Sequence, residues 1–82
     1  MFLEFDPDAD AIYVSLLEPS DGEPEIDGAE EIDHDRRVVY DVSGRAVGVE
    51  FTSVSHGITL DGVPQAEKIR ALLASVKELA VA

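Results

Sequence analysis

The chain has 82 residues, no cysteine, and 18 acidic against 6 basic residues, for a formal net charge of −12. That length supports one domain with a core near the minimum that folds unaided, and the lack of thiols excludes disulfides, thiolate metal centres and cysteine nucleophiles. Charge of this sign repels phosphate backbones and anionic lipid, so neither direct nucleic-acid binding nor membrane association is expected; with no apolar run near the roughly 20 residues of a span and no signal-peptide pattern, a cytoplasmic protein is expected.

The first elements are two strands, 2–6 and 11–17, flanking "DPDAD". Parity fixes the turn between them. A four-residue loop, Pro7 to Asp10, sets Phe5 opposite Ile12 and Leu3 opposite Val14, so these four share a face with Leu16. A three-residue loop would mix polar and apolar residues on both faces. Residues 18–28 (EPSDGEPEIDG) read as a loop, and a short acidic edge strand is expected at 30–33. Strands at 37–42 and 46–54 follow, joined by a two-residue Ser43-Gly44 hairpin that pairs Tyr40 with Val47, Val38 with Val49, Val39 with Gly48 and Arg37 with Glu50. The apolar face of this hairpin is then Val38, Tyr40, Val47, Val49 and Phe51.

Residues 55–63 read as a connection containing two glycines. From Pro64 the apolar spacing changes to three and four (Ala66, Ile69, Leu72, Leu73, Val76, Leu79, Ala80), which predicts a helix over 64–81 with Asp61 as a nearby N-cap. The fold class is α+β: an antiparallel β-meander of four to five strands with one C-terminal α-helix packed on its apolar face. The acidity is segregated, residues 1–61 carrying 16 acids and 3 bases and residues 62–82 two acids and three bases.

"FDPDADAIYVSL" followed by "VVYDVSGRAVGVEF" resembles the small bacterial domain-of-unknown-function family 2283 over residues 2–54. Its members show a tyrosine or phenylalanine, an aspartate, a short turn, "ADALYI", then "VDYD", a glycine and "VVGIEIL". Asp6, Asp10, Tyr13, Asp41, Gly44, Gly48 and Glu50 occupy the motif positions. Here the turn after Asp41 is shorter, Ser43 stands where acids are usual, and Tyr40 where an aliphatic is common. The resemblance implies a compact sheet-and-helix domain and no particular activity.

Three groupings are candidates for function. Asp6, Asp8 and Asp10 alternate like the start of a calcium loop, but an EF-hand beginning at Asp6 needs glycine at its sixth position and glutamate at its twelfth, where Ala11 and Leu17 stand. A capped turn is the first expectation, and a weak calcium or magnesium site the alternative. Asp41 and Glu50 are further metal candidates. The second sheet face presents Tyr13, Ser15, Val39, Asp41, Gly48 and Glu50, too apolar for an open face and too polar for a core, which marks these six as interface candidates. His34 and His56 lack metal-ligand spacing, and no nucleophile-elbow or phosphate-loop motif is present, so no catalytic residue and no firm cofactor are expected. The overall expectation is a non-enzymatic protein-interaction module that forms a homodimer and offers acidic surface to a basic protein partner. The alternatives are a divalent-cation-binding domain and an acidic DNA mimic or antitoxin-like inhibitor.

Overall fold

The computed structural model describes residues 1–76. Five strands form one antiparallel sheet: β1 (Phe2–Asp6), β2 (Ala11–Ser15), β3 (Ile26–Asp33), β4 (Arg36–Asp41) and β5 (Ala46–Thr52). Their order across the sheet is β1-β2-β5-β4-β3. The sheet is therefore a hairpin, β1-β2, added to a three-strand meander, β3-β4-β5, and not one continuous meander: β2 pairs with the last strand rather than with the next. Among the described residues a single α-helix, α1 (Ala66–Leu73), follows. The helix is shorter than the expected 64–81: residues 64–65 and 74–75 are turn and 76 is outside any element, while 77–81 lie outside the described residues. No helix among the described residues is long and apolar enough to cross a membrane.

The β1-β2 register matches the parity expectation, with Leu3 opposite Val14, Phe5 opposite Ile12 and a Pro7 to Asp10 loop. Alternation sends Ile12, Val14 and Leu16 to one face, where they join Val49 and Phe51 in the main apolar cluster. Phe5 shares that parity but lies at the sheet edge, 36% exposed. The cluster also takes in Val54, expected at the end of the last strand, and Ile58, Leu60 and Val63 from the stretch expected to be a mere connection, together with Ile69 and Leu73 of α1. The helix starts on Gln65, in the left-handed region and without a side-chain cap, so Asp61 is not its N-cap. Asp61 instead turns its carbonyl to Arg36.

The hairpin between β4 and β5 differs from the two-residue expectation. The Asp41 N–H donates to Arg45 O at 2.9 Å and the Gly44 N–H to Asp41 O at 3.0 Å, which closes a loop of Val42, Ser43 and Gly44. Gly44 takes φ +85, the left-handed step such a loop needs. Tyr40 consequently faces Ala46, and Val47 is extra: a β-bulge lies between the Val39 and Tyr40 pairs. Beyond it the expected pairs return, Val39 with Gly48, Val38 with Val49 and Arg37 with Glu50. The bulge turns Val47 to the opposite face, where it is buried with Leu17 and Val39 and packed by Tyr13.

β3 runs over 26–33, well beyond the four residues expected, and all of it except Ile32 is exposed. Two register shifts interrupt its pairing with β4. At its end Arg36 joins three segments: its guanidinium is 11% exposed, donates to Asp33 Oδ2 from Nε at 3.1 Å and Nη2 at 2.9 Å, and reaches the carbonyls of Thr59 at 3.0 Å and Asp61 from Nη1. This planar fork ties β4 to the connection that covers the main cluster, a role an ammonium cannot fill. Arg36→Met should therefore lower unfolding stability by about 2–3 kcal/mol, the range for hydrogen bonds made by a charged group, and Arg36→Lys should recover only part of it, as read by urea denaturation.

Candidate functional site

The first turn shows what its aspartates do. Asp6 Oδ1 accepts the backbone N–H of Asp8 at 3.1 Å and of Ala9 at 3.2 Å, closing the turn on itself. Asp10 takes φ +53, a conformation aspartate tolerates better than most residues, and points away from Asp6 toward the 3-10 turn at Val54–His56. There its Oδ1 accepts the Ser55 N–H at 2.9 Å, its Oδ2 accepts the Ser55 hydroxyl at 2.7 Å, and its carbonyl accepts the Val54 N–H at 3.1 Å. Asp8 is exposed. The three carboxylates thus diverge into separate tasks. Among the described residues no group of three or more His, Cys, Asp or Glu side chains is placed to hold a metal ion.

Asp41 and Glu50, the other two candidates, are not brought together. Asp41 Oδ1 is turned into its own hairpin, accepting from Ser43 N at 2.9 Å, Ser43 Oγ at 2.6 Å and Arg45 N at 3.0 Å. These bonds, that of the Ser43 hydroxyl foremost, hold its carboxyl below the usual carboxylate range. Ser43, which departs from the family pattern, is thus the residue that binds the turn aspartate. The Arg36 guanidinium likewise holds the Asp33 carboxyl low. Glu50 stands opposite both Tyr13 and Arg37, with Arg37 Nε 3.8 Å from its carboxylate. Arg37 also reaches Glu31 at 3.2 Å.

Read across the sheet, one row on the second face is therefore Glu4, Tyr13, Glu50, Arg37 and Glu31, one residue from each strand. The next row is Phe2, Ser15, Gly48, Val39 and Ala29. Tyr13 leans from the first row over the second. A Cβ on Gly48 would lie 1.9 Å from the Tyr13 hydroxyl, so the missing side chain is what lets the ring lie flat on β5. Burial first, then the charges of Glu50 and Glu4, push the Tyr13 phenol above its ordinary value of 10.0. Of the six interface candidates, Val39 and Gly48 are already buried within the chain, Asp41 is committed to its turn, and Tyr13, Ser15 and Glu50 remain partly open.

Beside Tyr13 the face opens into a groove of about 400 Å³ between Phe2 and Val47 on the sheet, Leu17 just beyond the end of β2, and Pro19 and Glu23 on the following loop. Phe2 is half exposed, at 50%. Sequence reasoning placed Val47 on the other face and treated 18–28 as a plain loop, so the groove was not anticipated. The one signal for it was Gly48, since a glycine inside a strand often marks a bulge.

The family model for a protein of unknown function, DUF2283, matches residues 3–55. The chain belongs to the DUF2283 family. The DUF2283 match spans the sheet from Leu3 onward and ends inside the 3-10 turn that Asp10 holds. No curated protein and no solved structure matches the chain significantly.

Two outcomes follow from this geometry. Asp10→Ala should cost about 1–2 kcal/mol in thermal or urea unfolding, the usual range for a lost cap. Asp10→Asn, whose amide oxygen still accepts the Ser55 N–H, should cost clearly less; equal losses would mean that the bonds to Ser55 contribute nothing. In a Tyr40→Phe background, which leaves Tyr13 as the one tyrosine, ultraviolet titration should show ionisation above pH 10.0. A raised folded-state value stabilises the fold below the ordinary pKa and the stabilisation disappears as pH rises through the raised one. Gly48→Ala should move the titration down toward the ordinary value by forcing the ring off the sheet.

Proposed function

We propose that this DUF2283 chain is a non-enzymatic protein-interaction module that assembles as a homodimer through the β1 edge of its sheet. The observation that carries the dimer is the contrast between the two edges. β3 has two register shifts and the charges of Asp27, Glu30, Glu31 and Asp33, the devices by which sheets discourage edge pairing. β1, Phe-Leu-Glu-Phe-Asp, has neither proline nor lysine, pairs with β2 without a register shift, and exposes Phe2 and Phe5 to 50% and 36%. Antiparallel pairing of two β1 strands about a two-fold axis through Leu3 sets Leu3 against its own counterpart and keeps the apolar face continuous across both copies. In this reading α1 and the 53–63 connection together form the lid over that face.

The titrating groups support a non-catalytic role. The phenol of Tyr13 is pushed up and the carboxyls of Asp33 and Asp41 are pushed down, so each shift deepens the charge state the group already has at neutral pH. None of the three is poised to exchange a proton there. Acidic surface for a basic partner remains part of the same proposal.

Size-exclusion chromatography with light scattering at about micromolar concentration should give the mass of two chains. Phe5→Glu should return the single-chain mass, whereas Ile26→Glu, on the protected edge, should leave the dimer intact. A wild-type chain that is strictly monomeric overturns the dimer.

A further inference from the structure

Two features meet at the groove beside Tyr13. Its floor is apolar, with Phe2, Leu17 and Val47, and Phe2 keeps half its surface in solvent. Its margin is acidic: Glu18 and Glu23 rise from the loop, and Glu4 and Glu50 stand to either side of Tyr13. Among the described residues the lining contains no lysine or arginine. The cations beside it are already engaged: the N-terminal ammonium of Met1 with Glu18 at 2.9 Å, Arg37 with Glu31 and Glu50, and Arg45 with Asp21 at 3.8 Å.

We propose that this groove docks a short basic segment of a partner protein, which seats one large apolar side chain against Phe2, Tyr13, Leu17 and Val47 and sets its cationic neighbours against Glu4, Glu23 and Glu50. The proposal rests on the interaction-module reading and not on the dimer. The groove's volume falls in the range of sites that hold small ligands or single anchoring side chains. The faces of Phe2 and Tyr13 also suit a lysine or arginine stem, through apolar contact and cation–π attraction. Charge selects among the possible occupants. A second copy seated in the groove would bring acidic side chains of its own margin against these same glutamates, and like-charge juxtaposition works against it there. Nucleic acid is repelled for the same reason. A basic polypeptide gains from the field both in encounter rate and in specificity.

The test is a titration of the full chain, followed by amide NMR shifts, with a short synthetic peptide of alternating lysine and leucine around one tryptophan. Saturable shifts should centre on Phe2, Tyr13, Leu17, Val47 and Glu23. Two exposed positions supply variants that leave the core untouched: Glu23→Lys and Phe2→Ser should each weaken binding about tenfold. A lysine peptide with serine in place of its apolar residues, and a glutamate–leucine peptide, should bind far more weakly. Equal binding of the lysine–serine peptide would reduce the effect to diffuse acidity and overturn the proposal. So would peptide-induced shifts lying elsewhere on the chain, or concentration-dependent shifts without peptide at Leu17, Val47 and Glu23, which lie off the β1 edge, since these would assign the groove to a second copy. A monomer that binds the peptide refutes the dimer alone, and a dimer that does not bind it refutes the docking alone.

Discussion

β2 and β5 are far apart in sequence and adjacent in the sheet, with Val14 directly opposite Val49 and no part of either exposed. This pairing alone attaches the N-terminal hairpin to the meander, and it fixes the parity of everything on either side. Once Val14 faces the main cluster, Tyr13 must face the other way, Ile12 must meet Phe51, and Ser15 must meet Gly48. A slip of one residue would send Ile12, Val14 and Leu16 into solvent and Tyr13 into the core. With 15 buried apolar residues among those described and no disulfide to constrain the unfolded chain, so small a fold has little stability with which to tolerate such an error.

The acidic residues make more sense as local acceptors than as a uniform field. Asp6 and Asp41 each collect backbone donors in a turn, Asp10 ties the start of β2 to the segment that leaves β5 at the same end of the sheet, and Asp33 holds Arg36 in position. Each satisfies N–H groups that a sharp change of chain direction leaves without a ladder partner. The few arginines complement this. Arg36 is committed to the interior edge of the fold, while Arg37 is half exposed between Glu31 and Glu50, where solvent screening leaves it a modest contribution. On the sheet face, Glu4 and Glu50 flank Tyr13 from the neighbouring strands.

How far the sequence discloses this structure depends on what each residue responds to. Strands that bury one face announce themselves by alternation, and the register of β1 with β2 was recoverable to the residue because a wrong loop length mixes Glu4 with Ile12. β3 buries little beyond Ile32, so no alternation marks it, and its first half reads as loop in the sequence. The Val42 to Gly44 turn and the bulge at Val47 were missed together: a loop one residue longer and a strand with one residue extra leave the pairs from Val39 to Arg37 where a shorter loop would put them. Correct pairs therefore came with the wrong face for Val47. The core role of Val54, Ile58, Leu60 and Val63 was invisible to periodicity because that stretch follows neither period. The helix pattern was legible in kind, with Ile69 and Leu73 buried as expected, but the contact between Asp10 and Ser55 depends on a tertiary approach that no local spacing encodes.

The bulge has a consequence for how such a sheet can vary. A hairpin tip that gains or loses one residue would ordinarily reverse the facing of every side chain beyond it. Here the surplus at the tip is taken up within two positions of the strand, before Val49 and Phe51 are reached. The central rows are in this way insulated from the tip, and Val47 is the shim. Tips of different length can then be fitted to one unchanged sheet at the cost of turning a single valine, and that valine floors the groove. Length variation at the tip and the shape of the binding face are mechanically linked, although the two sit at opposite ends of the same few residues.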